Sequence, residues 1–222
     1  MSSSFKKAAE AIGTTLDKLV ERLKIACGED PRGKLARLLE EEEQKNIDDF
    51  IKEFRGESER LDNMLELLVD HDFFVCPAAV KHHGNHIGGL YEHSKQVAFE
   101  LCKLTVNLNL KWDRRDSPLV IGFLHDLCKL DQYNIIEAEE GRGYTIEYNK
   151  DQLYDGHGEK SLVMALDLGS YLTDEEKACI RYHMGAFTDE KEWKYYTRAI
   201  KQFPNVLYTH TADMIASQIK GI

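Results

Sequence analysis

Cysteine is sparse and poorly spaced for structural work. Cys27, Cys76, Cys102, Cys128 and Cys179 are five in 222 residues, and no C-x-x-C pair occurs. An odd count without that spacing argues against a disulfide framework or a zinc ribbon and fits a reducing compartment. Proline is scarcer still, with four residues against fifteen glycines. So few breakers among abundant Leu, Glu, Lys and Ala favour helix over sheet. Long apolar runs are missing: the longest, such as residues 119–124, fall far short of a bilayer span. Residues 1–15 lack the apolar stretch of a secretory signal, so a soluble, cytoplasmic protein is expected. Positive charge is also in deficit, 29 Lys and Arg against 39 Asp and Glu, a net −10. Such a surface repels polyanions, which excludes an extended nucleic-acid coat. It leaves room for an enzyme that meets phosphate through bound cations, since a carboxylate-rich site carries their counter-charge.

Histidine is absent from residues 1–70, and all nine histidines lie between His71 and His210. This asymmetry divides the chain into an N-terminal helical extension, 1–70, and a histidine-bearing domain, 71–222. In the extension, Ala8, Ile12, Leu16, Leu19 and Leu23 recur at helical spacing, as do Leu35, Leu38, Leu39, Ile47, Phe50, Ile51 and Phe54. Asp30-Pro31-Arg32-Gly33 is a turn between them, and Glu40–Glu43 is a solvated face or loop, not a site. The extension is acidic, 12 Lys and Arg against 17 Asp and Glu.

A further helix is expected over 61–68, broken before Pro77, and another from Gly89 to about Val106. Ser117-Pro118 reads as an N-cap followed by proline at the first helical position, starting a helix through His125 and Asp126 to about Leu130. Ile135, Ile136, Tyr144, Ile146 and Tyr148 flank Gly141-Arg142-Gly143, which predicts a small β-hairpin. Helices resume after Gly158, after the capping box at Thr173 and Glu176, around 190–202, and from Asn205 onward. The fold class is therefore all-α, with one small hairpin.

Several polar groups fall on the apolar stripes of these helices. His93 lies between Leu90 and Val97, and His125 and Asp126 lie within Phe123-Leu124-His125-Asp126-Leu127. His183 follows Cys179 and Ile180, while Asp213 shares a stripe with Val206, His210 and Ser217. His157 sits between Gly156 and Gly158 at a helix start. A carboxylate in an apolar stretch needs a metal, a cation or several donors. Imidazole and carboxylate together suit Mn, Fe, Ni or Co, with Mg and Zn as further candidates. Six inward donors exceed what one open catalytic ion needs and suit two ions sharing a carboxylate.

At these residues the chain resembles the HD superfamily of metal-dependent phosphohydrolases. The motif residues are His93 in Tyr91-Glu92-His93-Ser94, the tandem pair His125-Asp126, and the late Asp213. The resemblance covers roughly 73–219 and implies an HD-domain helical bundle. His157 and His183, between the pair and the late Asp, are similar to the binuclear branch that contains cyclic-nucleotide phosphodiesterases. His82-His83-Gly84-Asn85-His86-Ile87-Gly88-Gly89-Leu90 is similar to the approach to the first ligand in HD-domain 3′-to-5′ exoribonucleases. The chain departs from those in having no room for their OB-fold RNA-binding domain, and it lacks the Gly-Tyr-Pro signature of one cyclic-dinucleotide branch.

The resemblance implies two divalent metal ions. Asp126 would bridge them, with His93, His125 and Asp213 completing one position and His157 and His183 holding the other. A water activated there would cleave a phosphoester of a nucleotide, cyclic nucleotide or short oligonucleotide. Lys129, three residues after Asp126, would steady a phosphoryl oxygen, or else is a surface lysine at a helix C-terminus. His82, His83 and His86 are candidate substrate contacts, His210 a supporting residue, and Arg142 a turn residue. The rival functions are a mononuclear nucleotidase using only His93, His125, Asp126 and Asp213, and a non-catalytic nucleotide-binding module. The helices of the extension are the expected docking surface for a second copy or a partner.

Overall fold

A computed structural model describes residues 33–81, 84–138, 143–152 and 154–222. The readings made at 1–32, His82, His83 and Arg142 lie outside the described residues. The architecture is helical with one antiparallel hairpin, as the sparse breakers predict.

Helix α1, Lys34–Phe54, buries Asn46, Phe50 and Phe54; of the expected solvated face Glu40–Glu43, Glu41 is exposed and the other three are half-buried. Helix α2, Glu59–Val69, starts where the Ser58 side chain accepts the Leu61 amide and buries Leu61, Met64 and Leu68. A turn rich in buried aromatics, Phe73 and Phe74, leads past Pro77 into α3, Gly89–Leu108. Helix α4, Ser117–Leu124, is followed by a turn and a single-turn helix α5, Lys129–Gln132. Strands β1, Tyr133–Glu137, and β2, Tyr144–Tyr148, pair with Ile135 opposite Ile146. Helix α6, His157–Asp167, precedes α7, Asp174–Tyr182, whose start carries the complete capping box of Thr173 and Glu176. Two short 3₁₀ turns, Gly185–Phe187 and Glu190–Glu192, lead into α8, Trp193–Gln202. Helix α9, Asn205–Met214, ends in a wider π turn, Ile215–Lys220.

Two expectations need correction at α4. Its N-cap is Asp116, with Ser117 the first helical residue and Pro118 the second; the Ser117 hydroxyl is spent on Glu176 at 2.7 Å. The helix also stops at Leu124 instead of running to about Leu130. There the Gly122 carbonyl accepts the His125 ring at 2.9 Å, and the chain tightens into i→i+3 bonds from Lys129 to Asp126 and from Leu130 to Leu127, each 3.0 Å. The side chains of the pair, not the backbone ladder, set the local course.

Phe123 of α4 anchors the core. Its ring lies 5.0 Å from Phe50 and 5.1 Å from Phe54 on α1, and stacks at 6.3 Å on Tyr91 of α3. Helices α1 and α2 thus share one apolar core with α3, α4, α7 and α9. Removing such a buried aromatic costs about 3–5 kcal/mol. Among the described residues, no helix is long and apolar enough to cross a membrane.

Two glycines allow close helix approaches beside the histidines. A Cβ at Gly122 would fall 2.5 Å from the Ala98 Cα, so only glycine lets α4 press on the backbone of α3. A Cβ at Gly158 would fall 2.2 Å from the Arg181 carbonyl oxygen, which likewise seats α6 against the end of α7.

Candidate metal centre

Those contacts bring five elements to one point. His93 comes from the first turns of α3, His125 and Asp126 from the turn after α4, His157 from the start of α6, His183 from the end of α7 and Asp213 from α9. His93, His125, Asp126 and His183 are buried.

The imidazoles are fixed from behind. His125 donates its Nδ1 hydrogen to the Gly122 carbonyl at 2.9 Å, and His183 donates its own to Ile180 at 2.8 Å. His93 Nδ1 donates to the Ile222 backbone oxygen at 2.9 Å. Backbone acceptors on Nδ1 set the tautomer and leave Nε2 as the inward-facing nitrogen, the usual arrangement behind metal-binding histidine.

The Nε2 atoms converge on Asp126, whose two oxygens divide them. Oδ1 lies 3.3 Å from His157 and 3.4 Å from His183. Oδ2 lies 3.8 Å from both His93 and His125. Asp213 Oδ1 is 3.3 Å from His93 Nε2. His125 and His93 face each other with Nε2 atoms 3.3 Å apart.

This donor set fits a cation. Asp126 Oδ1 and His183 Nε2 are buried and make no hydrogen bond, despite the short separations, because the contacts lack hydrogen-bond geometry. Buried polar atoms are rarely left so. His93 and His125 have already used their Nδ1 hydrogens, so two facing Nε2 atoms require a proton or a cation between them. Groups able to hold an ion are His93, His125 and Asp126; His125, His183 and Asp213; and Asp126, Cys128 and His157.

Electrostatics sort the protons. Burial pushes His125 down to about 4, keeping the ring neutral with a free lone pair. Burial also opposes charge on His93, but the hydrogen bond to Asp213 and the charges of Asp126 and Asp213 outweigh it and raise its pKa. His183 moves up in the same way, with burial opposed by Asp126. Asp126 lies well below the carboxylate range: burial disfavours its charge, but His125, Lys129 and His157 more than compensate.

Lys129 is buried, so the surface-lysine alternative is overturned. Its Nζ lies 3.3 Å from the Tyr133 hydroxyl and 5.4 Å above that ring. Burial alone would lower its pKa; the Asp126 charge outweighs this and keeps the amine protonated. His210 supports His183, donating Nδ1 to the His183 carbonyl at 2.8 Å. His86, a candidate substrate contact, stands outside the cluster: it is half exposed and its Nε2 meets Glu92 at 3.0 Å.

Three participants had escaped sequence reasoning. Cys128 falls within ligand range of Asp126 and His157, although burial pushes its thiol up to about 12 and disfavours the thiolate. Its place two residues after Asp126 was the available signal. Gly122 had a signal too, as a glycine inside a helical apolar run. The Ile222 oxygen, reached through the final turn, had none.

Among known protein families, curated proteins and solved structures, nothing matches this chain.

Proposed function

We propose that the chain is a metal-dependent phosphohydrolase of the HD type, cleaving a phosphoester of a nucleotide, cyclic nucleotide or short oligonucleotide. One observation carries the reading: the two oxygens of a single buried carboxylate, Asp126, each face a separate pair of imidazole Nε2 atoms. That division supports two cation positions sharing Asp126. His93, His125 and Asp213 would hold one, and His157 and His183 the other. The nitrogen-rich donor set favours Mn, Fe, Co or Ni over Mg. Bound there, the ions would acidify a water and neutralise phosphoryl charge.

The chain's own residues supply the rest. The backbone carbonyls of Gly122, Ile180 and Ile222 hold the rings in orientation. Lys129, charged and steadied by Tyr133, offers ammonium hydrogens to a phosphoryl oxygen near Asp126. The mononuclear reading and the non-catalytic reading leave the second pair of imidazoles on Asp126 without a role.

The test is metal-free protein reconstituted separately with Mn, Fe, Co, Ni and Mg and assayed on phosphomonoesters and phosphodiesters. Metal-dependent hydrolysis that is lost in Asp126→Asn is expected. No turnover of any phosphoester with any of these ions would overturn the proposal.

A further inference from the structure

A cleft of about 390 Å³ opens beside the cluster, with His157 in its wall. Gly156 and Gly158 give it backbone floor, Met184 and Phe187 an apolar side. Its volume falls within the usual range for small-molecule sites, about 300–1,000 Å³. Because His157 Nε2 lies 3.3 Å from Asp126, a molecule seated in this cleft reaches the reacting centre directly.

Phe187 is 69% exposed and held by a defined turn. The turn is set by its amide bonding Met184 at 3.0 Å, and its ring packs at a steep angle on His210, 6.3 Å away. It therefore presents a prepositioned flat face. Among the described residues lining the cleft, Asp155, Glu159, Asp189 and Glu192 stand against one cation, Arg181, which is held by Glu159 and Glu192. A second phosphate would be repelled here, whereas the N–H edge of a nucleobase would find acceptors.

We infer that this cleft takes the nucleoside part of a mononucleotide ester, with the base against Phe187, and disfavours substrates bearing a further phosphate. The inference rests on the phosphohydrolase reading and narrows its substrate class. Base stacking on an aromatic side chain is worth about 1–3 kcal/mol, or about fivefold to a hundredfold in affinity.

The experiment uses the full, metal-loaded chain and two diesters with the same leaving group, thymidine 5′-(4-nitrophenyl) phosphate and methyl 4-nitrophenyl phosphate. Phe187→Ala should raise KM for the thymidine ester by about fivefold or more, with little change in kcat, and leave the methyl ester unaffected. A 5′-phosphorylated dinucleotide should be a poorer substrate than the same dinucleotide without that phosphate, and Asp155→Asn with Asp189→Asn should narrow that gap. Equal effects of Phe187→Ala on both nitrophenyl diesters, or a preference for the 5′-phosphorylated dinucleotide, would overturn the inference. If wild type cleaves neither diester, calorimetry with thymidine 5′-monophosphate decides the cleft: binding weakened by Phe187→Ala supports it, and absence of binding overturns it, while the phosphohydrolase reading stands or falls on the wider panel of phosphomonoesters and phosphodiesters.

Discussion

Arg60 grips Glu176 with both terminal nitrogens, Nη1 donating to Oε1 at 3.0 Å and Nη2 to both Oε1 and Oε2 at 2.9 Å, across 116 residues of sequence. Glu176 is fully buried and also accepts from the Ser117 hydroxyl and the Thr173 amide. One carboxylate thus ties α2, the start of α4 and the N-terminus of α7. Removing Glu176 leaves Arg60 with Asp116 alone, whose Oδ1 lies 2.9 Å from Nη1. Glu176→Ala should lower stability by about 3 kcal/mol, the low end for buried pairs because Arg60 keeps some solvent. Thermal unfolding should shift down by about 6–12 °C. A shift under a degree or two would show that α7 is held by other contacts.

Asp126→Asn keeps the shape of the side chain and removes its charge. Metal affinity should fall at least tenfold and phosphoesterase activity with it, while the fold survives on Phe123, Leu124 and Leu127. Elemental analysis, melting temperature and rate on the same preparation check this. Unchanged metal content and rate would remove Asp126 from the site.

The Ile222 oxygen orients His93 through Nδ1. Deleting Gly221 and Ile222 should therefore weaken metal binding by about tenfold to a hundredfold without unfolding the protein. Competition against a fluorescent chelator measures it. Wild-type affinity in the deletion would mean another acceptor serves that ring.

Asp49 titrates below the ordinary carboxylate value. Burial disfavours its charge, but hydrogen bonds from Lys95 and from Tyr91, the latter 2.7 Å, outweigh it. A depressed folded-state pKa stabilises the protein above the unfolded value, about 3.9, and that contribution is lost as pH falls through the folded value. The melting temperature of wild type should exceed that of Asp49→Asn at pH 6, and the gap should narrow as pH falls below the ordinary carboxylate value. A constant gap over that range would contradict the assignment.

Burial pushes Cys76 and Cys128 up to about 12 and Cys102 up to about 11. Below those values the reactive thiolate is rare, so these thiols should resist a disulfide reagent in native protein at pH 8 and react fully in denaturant. Peptide mapping by mass spectrometry assigns each site. Rapid native labelling of Cys128 would point to an open, electropositive surrounding instead.

Much of this arrangement was legible in the residues. Helical periodicity put His93, His125, His183 and Asp213 on apolar stripes, and the structure brings them together with His157 and Asp126. Tyr133–Glu137 and Tyr144–Tyr148 form the expected hairpin. Periodicity failed where side chains overrule the backbone. The His125 ring takes the Gly122 carbonyl, so the helix ends six residues earlier than its apolar pattern suggests, at Leu124 and not Leu130. Tertiary acceptors such as the Ile222 oxygen leave no local trace, because any residue supplies a backbone carbonyl.

Gly122 acts as a gauge for the candidate metal centre. With no side chain between α3 and α4, the Ala98 backbone sets how near His125 stands to His93. The spacing of the facing nitrogens is thus fixed in the buried seam between α3 and α4. A single added methyl at that position would wedge the helices apart and widen the cradle without altering one ligand. Selection for ion radius can in this way be adjusted from the packing layer alone, leaving the chemistry of the donors untouched.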